Sequence, residues 1–403
     1  MAERGKSILA DLNVSGCDVA ELQQVLGSLF RGCGGDRGDT HAYLFPGDQE
    51  SYAIKLLFNN KHDLVDAIAG PTLTPDALNA TRTAIVNALH TTDGKIANWI
   101  LFSPVPVNGA FRYRDDFQIL PAPVHAPQPN AILAEHPFLL QFRYKGSAHQ
   151  TVDIRRRVLH GRGLEFLLAA MLHSRIYSHQ GVHHAWVIDP DSIGVASVSR
   201  TVYWQLGYTY ADHKPTLKDF TPIDQLPQLS VINGAEFLGR LGIDGGQALD
   251  LPDYFERLAT AYFSLDESDA RKFRNAGYWF QHSARTYPTS RSASYVSLAL
   301  AVEALMPPPE PGKGPTKQFK EFLARFVPAT DGFKEQTEQL YKTRSKLAHG
   351  ASLLVSDHDR LMAHSPAWFE EWRQSDYFYS VVRYAIVNWL NDRAHRRLQS
   401  AAT

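Results

Sequence analysis

Hydrophobic and polar positions follow two different rhythms along the chain, and the change comes near residue 245. In the first part, short apolar and β-branched runs are broken by many proline and glycine residues, which indicates strands mixed with helices. Thr74 directly before Pro75 is typical of a helix start. The predicted strands are Tyr43–Phe45, Tyr52–Phe58, Asn98–Phe102, Phe111–Leu120, Phe138–Tyr144, His184–Ile188 and Val198–Tyr210. The predicted helices are Asp18–Phe30, Thr74–Leu89 and Asp153–Arg175.

The second part repeats apolar residues at helical spacing almost throughout. Ser292–Met306 is apolar on nearly every side, which predicts a central buried helix, and Pro307 ends it. The other predicted helices are Leu251–Leu265, Asp266–Arg285, Lys317–Phe326, Gly332–His349 and a last one whose apolar stripe is Phe378, Val381, Val382, Ala385, Ile386, Trp389 and Leu390. We therefore predict an α+β fold, with a mixed α/β recognition domain over residues 1–245, a linker at Ile243–Gln247 and a helical bundle over residues 250–398.

Composition and charge narrow the class of protein. The 403 residues suffice for two or three domains, and 44% hydrophobic with 21% charged residues is a globular composition. The formal net charge is −1, so no overall basic field attracts nucleic acid or an anionic membrane. Any contact with nucleic acid must therefore come from a local patch.

Cysteine and histidine positions argue against a metal or a cofactor. Cys17 and Cys33 form no CxxC pair, and the histidines around His183 have no acidic or cysteine ligand at a suitable spacing. The N-terminus lacks a secretory signal, and the longest apolar runs fall short of the roughly 20 residues that a membrane helix needs. We predict a cytoplasmic protein with reduced thiols, no metal, no cofactor and no membrane contact.

The residues with the clearest chemical potential lie in the segment Leu340–Gly350, where Arg344 is followed by four residues and His349 at a glycine-closed helix end. Arginine grips two phosphate oxygens with its planar fork, and histidine exchanges protons near neutral pH. RNA supplies its own nucleophile, the 2′-hydroxyl, so these two groups suffice in principle for metal-free cleavage to a 2′,3′-cyclic phosphate. Five positions turn about 140° beyond a full rotation of an α-helix, so the pair does not share one stripe.

The C-terminal part resembles the HEPN superfamily, and in particular its Apea-like branch. The resemblance rests on Tyr341–Gly350 with its arginine, four residues and histidine, on the apolar helix Tyr295–Met306 with its embedded Glu303, and on the closing apolar helix Phe378–Leu390. It implies a metal-independent endoribonuclease whose site is completed across a two-fold homodimer of the bundle. It also implies a role in bacterial antiphage defence by abortive infection, or a related toxin function.

Three residues within the motif or on the neighbouring predicted helix leave their role in the site open. Ser345 stands where catalytic members of the family often carry Asn, Asp or His, although a hydroxyl can still donate a hydrogen bond. Glu303 either holds the arginine or histidine in an ion pair or faces solvent. Tyr341 either lines the site and stacks on a base or packs in the core.

Basic residues give candidate RNA contacts. Lys342 and Lys346 flank Arg344, and the densest basic cluster is Arg155–Arg157. That cluster is either a phosphate-binding stripe or the solvated face of an amphipathic helix.

Two functions from different classes follow. The first is an RNA-cleaving homodimer whose N-terminal domain recognises a phage-derived or antitoxin partner. The second is a non-catalytic module that binds RNA, a nucleotide or a protein, in which Arg344 and His349 only hold a ligand phosphate or form an ordinary solvated helix end.

Overall fold

The computed structural model describes residues 6–10, 12, 18–30, 33–35, 41–45, 51–59, 64–90, 92–126, 136–178, 185–188, 201–204, 210, 212–240, 248–308, 310–350, 352–358 and 365–401. Strands alternate with helices in the first half, and helices predominate after residue 250, so the predicted α+β class is confirmed. The strands are β1 (Cys33–Gly35), β2 (His41–Leu44), β3 (Ile54–Phe58), β4 (Leu64–Ala69), β5 (Thr92–Ser103), β6 (Phe111–Tyr113), β7 (Phe117–Pro121), β8 (His136–Gly146), β9 (Ala185–Ile188), β10 (Thr201–Trp204), β11 (Thr216–Leu217), β12 (Val231–Ile232) and β13 (Leu251–Pro252).

The helices agree with most of the predicted ranges to within a few residues. They are α1 (Val19–Leu29), α2 (Pro75–Leu89), α3 (Gln150–Met171), α4 (Gly234–Arg240), α5 (Phe255–Phe263), α6 (Glu267–Thr286), α7 (Arg291–Leu305), α8 (Pro315–Phe326), α9 (Phe333–Ala348), α10 (Val355–His358) and α11 (Pro366–Ala401). The short helices α4 and α10 were not predicted, because they are too short for a periodic pattern to stand out.

The chain forms two compact units, of which the first consists of residues 1–97, 143–160 and 216–219. In this unit β1 to β4 form an antiparallel sheet in chain order, and α1 packs against α2. Local capping explains both helices: Asp18 accepts from the backbone N–H of Ala20, and Thr74 accepts from that of Ala77. The core includes the fully buried side chains Ile8, Val25, Leu26, Ile54, Ile85 and Val152.

The second unit consists of residues 98–142, 161–215 and 220–403. Its helix α11 packs on α5, α6, α7 and α8, and α7 packs on α6, α9 and α11. The predicted stripe of α11 is buried along its whole length: Phe378, Val381, Val382, Ala385, Ile386, Trp389 and Leu390. The prediction of a central buried α7 is also confirmed, since Tyr295, Ala299 and Val302 are each at most 1% exposed.

Two predicted elements need correction. The predicted strand Phe111–Leu120 is a hairpin of β6 and β7, because Arg114 adopts a φ of 48° and the chain reverses there. The predicted helix Leu251–Leu265 begins only at Phe255, because Leu251 and Pro252 pair with β12 as a short parallel strand.

The predicted division near residue 245 does not coincide with the boundaries of the two units. The hairpin of β6 and β7 packs on α5: the rings of Phe111 and Phe255 meet edge to face at 5.2 Å, and those of Tyr113 and Phe263 stack at 5.7 Å. Residues well before 245 therefore share a core with the helical segment. The predicted linker Ile243–Gln247 lies outside the described residues, and a division of labour between 1–245 and 250–398 stays a prediction.

Candidate functional site

Helix α7 provides one wall of the candidate site, and its start is fixed by two caps. Ser290 accepts from the backbone N–H of Ala293, and the carboxylate of Asp357 accepts from the Ser290 hydroxyl and the backbone N–H groups of Arg291 and Ser292. Burial raises the pKa of Asp357, but these hydrogen bonds from Ser292, Ser290 and Arg291 outweigh it and hold the pKa below its usual value. Asp357 lies on the four-residue helix α10, which left no signal in the sequence.

Helix α9 carries the arginine–histidine motif and packs on α7 and α8. It begins after Gly332, whose φ is 75°, and its last residue Ala348 is followed by His349 and then by Gly350 with a φ of 66°. The glycine-closed end of the predicted helix is confirmed, because a left-handed residue after the last turn suits glycine. The buried stripe of α9 includes Thr337 and Leu340, and Arg344 continues that stripe one turn later.

A direct ion pair joins the two helices. Arg344 Nη2 lies 2.7 Å from Glu303 Oε1 and donates to Oε2 at 2.9 Å. The side chains are 21% and 29% exposed, so the pair is partly screened from water. Of the two interpretations of Glu303, the structure favours the ion pair over a solvent-facing carboxylate. The supporting catalytic role of Glu303 stays a prediction.

Tyr341 lies between the core and the arginine. Its ring contacts Phe319 of α8 with centroids 5.3 Å apart, and the Arg344 guanidinium carbon is 5.8 Å from the Tyr341 centroid. Tyr341 is half-buried. The ring therefore packs against an aromatic core residue and also makes a cation–π contact with the guanidinium. Stacking of Tyr341 on a base stays a prediction.

A second tyrosine holds α9 against α7 beneath the ion pair. The hydroxyl of Tyr295 on α7 donates to the backbone carbonyl of Leu340 at 3.3 Å. Burial raises the pKa of the Tyr295 phenol, so the group stays a neutral donor at all physiological pH values. The relative placement of Glu303 and Arg344 thus rests on a buried contact rather than on the ion pair alone.

Among the described residues, no hydrogen bond or salt bridge joins the remaining residues of the motif to the ion pair. His349 is exposed at the end of α9, and no hydrogen bond or ion pair joins its side chain to another described residue. Lys342 pairs with Glu338 at 3.1 Å, Lys346 is exposed, and Ser345 is half-buried. The structure thus brings Arg344, Glu303 and Tyr341 together, and it leaves His349 open to solvent on the same helix end.

Spare binding capacity remains on Arg344. Only Nη2 donates to Glu303, and within the described residues Nε and Nη1 of Arg344 have no hydrogen-bond partner. A guanidinium can hold a carboxylate on one nitrogen and a phosphate on the others, because its five N–H donors lie in one plane. Arg344 can therefore accept a phosphate oxygen without releasing Glu303.

The basic cluster Arg155–Arg157 is largely occupied by intramolecular pairs. Arg155 donates from Nε and Nη2 to Asp18 Oδ2, at 3.1 and 2.7 Å. Arg156 forms a two-pronged pair with Glu21, at 2.9 and 2.7 Å. These pairs fasten α3 to α1 within the first unit, a role that the interpretations from sequence did not include. RNA binding by this cluster stays a prediction, with Arg157 as the member for which no ion pair is seen among the described residues.

No group of three or more potential metal-binding side chains occurs among the described residues, and His179, His183 and His184 lie outside them. In the same part of the chain, no helix combines the length and the apolar character needed to cross a bilayer. Comparisons with known proteins gave no match: no family model, no curated protein and no solved structure corresponds to this chain.

Proposed function

We propose that this chain is a metal-independent endoribonuclease of the HEPN type, with Arg344 and His349 as its catalytic residues. The observation that carries the proposal is the ion pair of Glu303 with Arg344, which leaves two of the three guanidinium nitrogens available to a phosphate. A fixed cation with unused donors and an exposed imidazole on the same helix are the groups that phosphodiester cleavage requires of a protein.

The reaction uses the 2′-hydroxyl of the substrate as its nucleophile. The 2′-oxygen attacks phosphorus as its proton passes to a base, the bond from phosphorus to the 5′-oxygen breaks, and that oxygen takes a proton. The products are a 2′,3′-cyclic phosphate and a 5′-hydroxyl. Arg344 stabilises the extra negative charge on the phosphoryl oxygens, and His349 transfers one of the two protons.

A second copy of the chain completes the site. In one protomer the motif offers a single imidazole, that of His349. Among the described residues, His349 has no partner that could act as its complementary acid or base. In a homodimer through the C-terminal helices, the second His349 supplies the other proton transfer. Antiphage defence in the bacterial cytoplasm, triggered through the N-terminal part, is the biological role that this activity fits.

Incubation of the purified protein with end-labelled RNA in excess EDTA tests the proposal. We expect cleavage to persist, the products to carry a 2′,3′-cyclic phosphate by mass spectrometry, and a 2′-O-methyl group at the cut to block it. Light scattering should report twice 45.1 kDa. Loss of cleavage in EDTA with recovery in magnesium contradicts the mechanism, and a monomer that still cleaves contradicts the composite site.

A second candidate function is a binding module without catalysis. It is favoured by the neutralising effect of Glu303 on Arg344 and by Ser345, which has no side-chain hydrogen bond to a described residue. In that case RNA binds at low salt and is recovered intact, and Arg344→Ala weakens binding without any change in product.

A further inference from the structure

A cavity of about 630 Å³ lies in the second unit, apart from the Arg344 site. Residues His173–Arg175 after α3 form one part of its wall, and helices α5, α6, α7 and α11 form the rest. A volume of this size is typical of sites for small organic ligands and is large enough for one nucleotide.

Charged residues in the wall favour an anion. Three arginines line the cavity, Arg175, Arg257 and Arg383, against one acidic residue, Asp376. Arg175 and Arg257 are exposed, and no ion pair with a described residue neutralises either of them. The excess of positive charge attracts a phosphate or carboxylate group into the cavity.

Arg383 is the most deeply placed of the three, with 4% of its surface exposed. Its Nε donates to the carbonyl of Ala170 at 3.0 Å, and Nη2 donates to those of Met171 and Leu172 at the end of α3. No carboxylate of the described residues pairs with it, and Nη1 is buried without a hydrogen-bond partner among them. Leaving a charged donor buried and unsatisfied is costly, and an anionic ligand would remove that cost.

Other polar groups of the same wall add hydrogen-bonding capacity. The hydroxyl of Ser375 is buried and also has no described partner. His173 Nδ1 accepts from the backbone N–H of Arg175 at 3.1 Å, so the proton of the neutral ring lies on Nε2. Ser174 Oγ lies 2.8 Å from the hydroxyl of Tyr379.

Aromatic rings form the rest of the lining. Tyr254, Tyr287, Trp372, Tyr379 and Tyr384 all contribute to the wall, and Trp372 and Tyr384 are exposed to solvent. Aromatic faces stack on nucleobases with little dependence on base identity. The cavity thus combines anion donors with flat apolar surfaces.

We infer that this cavity binds a nucleotide, with its phosphate against Arg383 and Arg257 and its base among the tyrosine and tryptophan rings. The residues involved are separate from Arg344 and His349. The inference therefore stands whether or not the chain cleaves RNA.

Isothermal titration of the full chain with adenosine 5′-monophosphate, and with the guanosine, cytidine and uridine analogues, tests the inference. We expect at least one nucleotide to bind with a micromolar Kd, and we expect this Kd to rise as the salt concentration is raised. Adenosine alone and inorganic phosphate alone should each bind about tenfold or more weakly, because each forms only part of the contacts. Failure of all four nucleotides overturns the inference, as does phosphate binding as tightly as the best of them, which indicates a plain anion site.

Two variants locate the binding in the cavity. Arg257→Ala removes an exposed cation of the wall and should weaken nucleotide binding about tenfold. Ser380→Trp places a large ring in the cavity from an exposed position of α11 and should abolish binding. Arg271→Ala, an exposed arginine of α6 outside the wall, serves as the matched control and should bind as the unmodified chain does.

Circular dichroism and melting temperature establish that each variant is folded. Folded Arg257→Ala and Ser380→Trp proteins with unchanged nucleotide affinity overturn the inference. If a short RNA binds more tightly than any mononucleotide and Ser380→Trp abolishes that binding, the assignment to a small ligand is overturned. The cavity would then be one end of an RNA-binding groove.

Discussion

Two arginine–glutamate pairs, one in each unit, show how the same residue types serve different ends. Arg156 donates from all three of its nitrogens: Nε and Nη2 bind Glu21, Nη1 binds the carbonyl of Gly146, and Nη2 also reaches Leu89. Arg344 uses Nη2 alone. The Arg156 pair is also more buried, with side chains 16% and 8% exposed.

The two pairs differ in how many N–H donors of the arginine remain without a partner inside the protein. A guanidinium whose donors are all satisfied inside the protein adds stability and offers nothing to a ligand. One that is held by a single nitrogen keeps its orientation and retains donors for a phosphate. The comparison therefore predicts a structural role for Arg156 and a functional role for Arg344.

The largest expected effect is on catalysis. His349→Ala and Arg344→Ala should each lower RNA cleavage by a factor on the order of 10² to 10⁴, because each removes a group that acts on the transition state. Cleavage rates and melting temperatures should be measured on the same preparations. Lys334→Ala, on an exposed position of the first turn of α9, is the control and should leave both unchanged.

Arg344→Lys sharpens the same test. A lysine keeps the charge but presents no planar fork, so we expect it not to restore cleavage. Unchanged cleavage in both alanine variants would instead identify the site as a binding module, and a collapsed melting temperature would show that Arg344 is structural.

The second prediction concerns stability, for which we expect the Arg156 pair to matter more than the Arg344 pair. Arg156→Ala should lower the free energy of unfolding by about 3 kcal/mol, because it leaves the buried Glu21 carboxylate unpaired. Arg344→Ala should lower it by about 1 kcal/mol or less, since a partly exposed pair contributes little. Urea unfolding of both variants measures the difference. Equal losses in the two variants would remove the distinction on which the comparison rests.

Arg383, which pairs with no carboxylate of the described residues, extends the comparison because its charge affects the pKa of His173. Burial, together with the positive charges of Arg383 and Arg175, lowers the pKa of His173 to about 4. In the unfolded chain the same ring titrates near its ordinary pKa of about 6.5. Between these values the unfolded chain binds a proton that the folded chain does not.

Stability should therefore be complete above about pH 6.5 and decline as the pH falls toward 4. The expected loss from His173 is about 1–3 kcal/mol at pH 4. Urea unfolding over this pH range should show a shallower decline in His173→Gln than in the unmodified chain or in the exposed control His358→Gln. An identical decline in all three proteins would show that folding does not lower the pKa of His173.

The smallest expected effect comes from the partner of Arg344. Glu303→Gln keeps a hydrogen-bond acceptor but removes the neutralising charge, so RNA should bind more tightly at low salt. Because the guanidinium is then held less firmly, cleavage should fall by less than about tenfold, with a stability change of about 1 kcal/mol or less. Filter binding and cleavage rates measure the two effects. Weaker RNA binding in Glu303→Gln would show that Glu303 contacts the substrate itself.

Local signals in the sequence predicted local structure well. The cap at Thr74, the buried stripe of α11 and the glycine-closed end of α9 each depend on residues within a few positions of one another. The two arginine–glutamate pairs could not be fixed in this way, because their partners lie 135 and 41 positions apart. For Glu303 the sequence left two alternatives, and for Arg156 it gave no reason to single out Glu21.

Backbone geometry caused the other differences. The chain reverses at Arg114 with a positive φ, a conformation that its residue type does not favour, so the apolar pattern of Phe111–Leu120 suggested one continuous strand. Asp357 caps α7 from a helix too short to carry a period. The cavity around Arg383 assembles residues from four helices and a loop, and none of these segments has a motif of its own.

The pairing of the small strand β11 with β5 joins two segments that are synthesised at very different times. Thr216 and Leu217 pair with Ala97 and Ile96 of β5, yet they leave the ribosome long after them. At about 5–20 residues per second, the edge of β5 waits on the order of ten seconds for its partner. An unpaired edge invites pairing with the wrong chain. Nascent chains that end shortly before residue 216 should therefore be the ones that most need a chaperone.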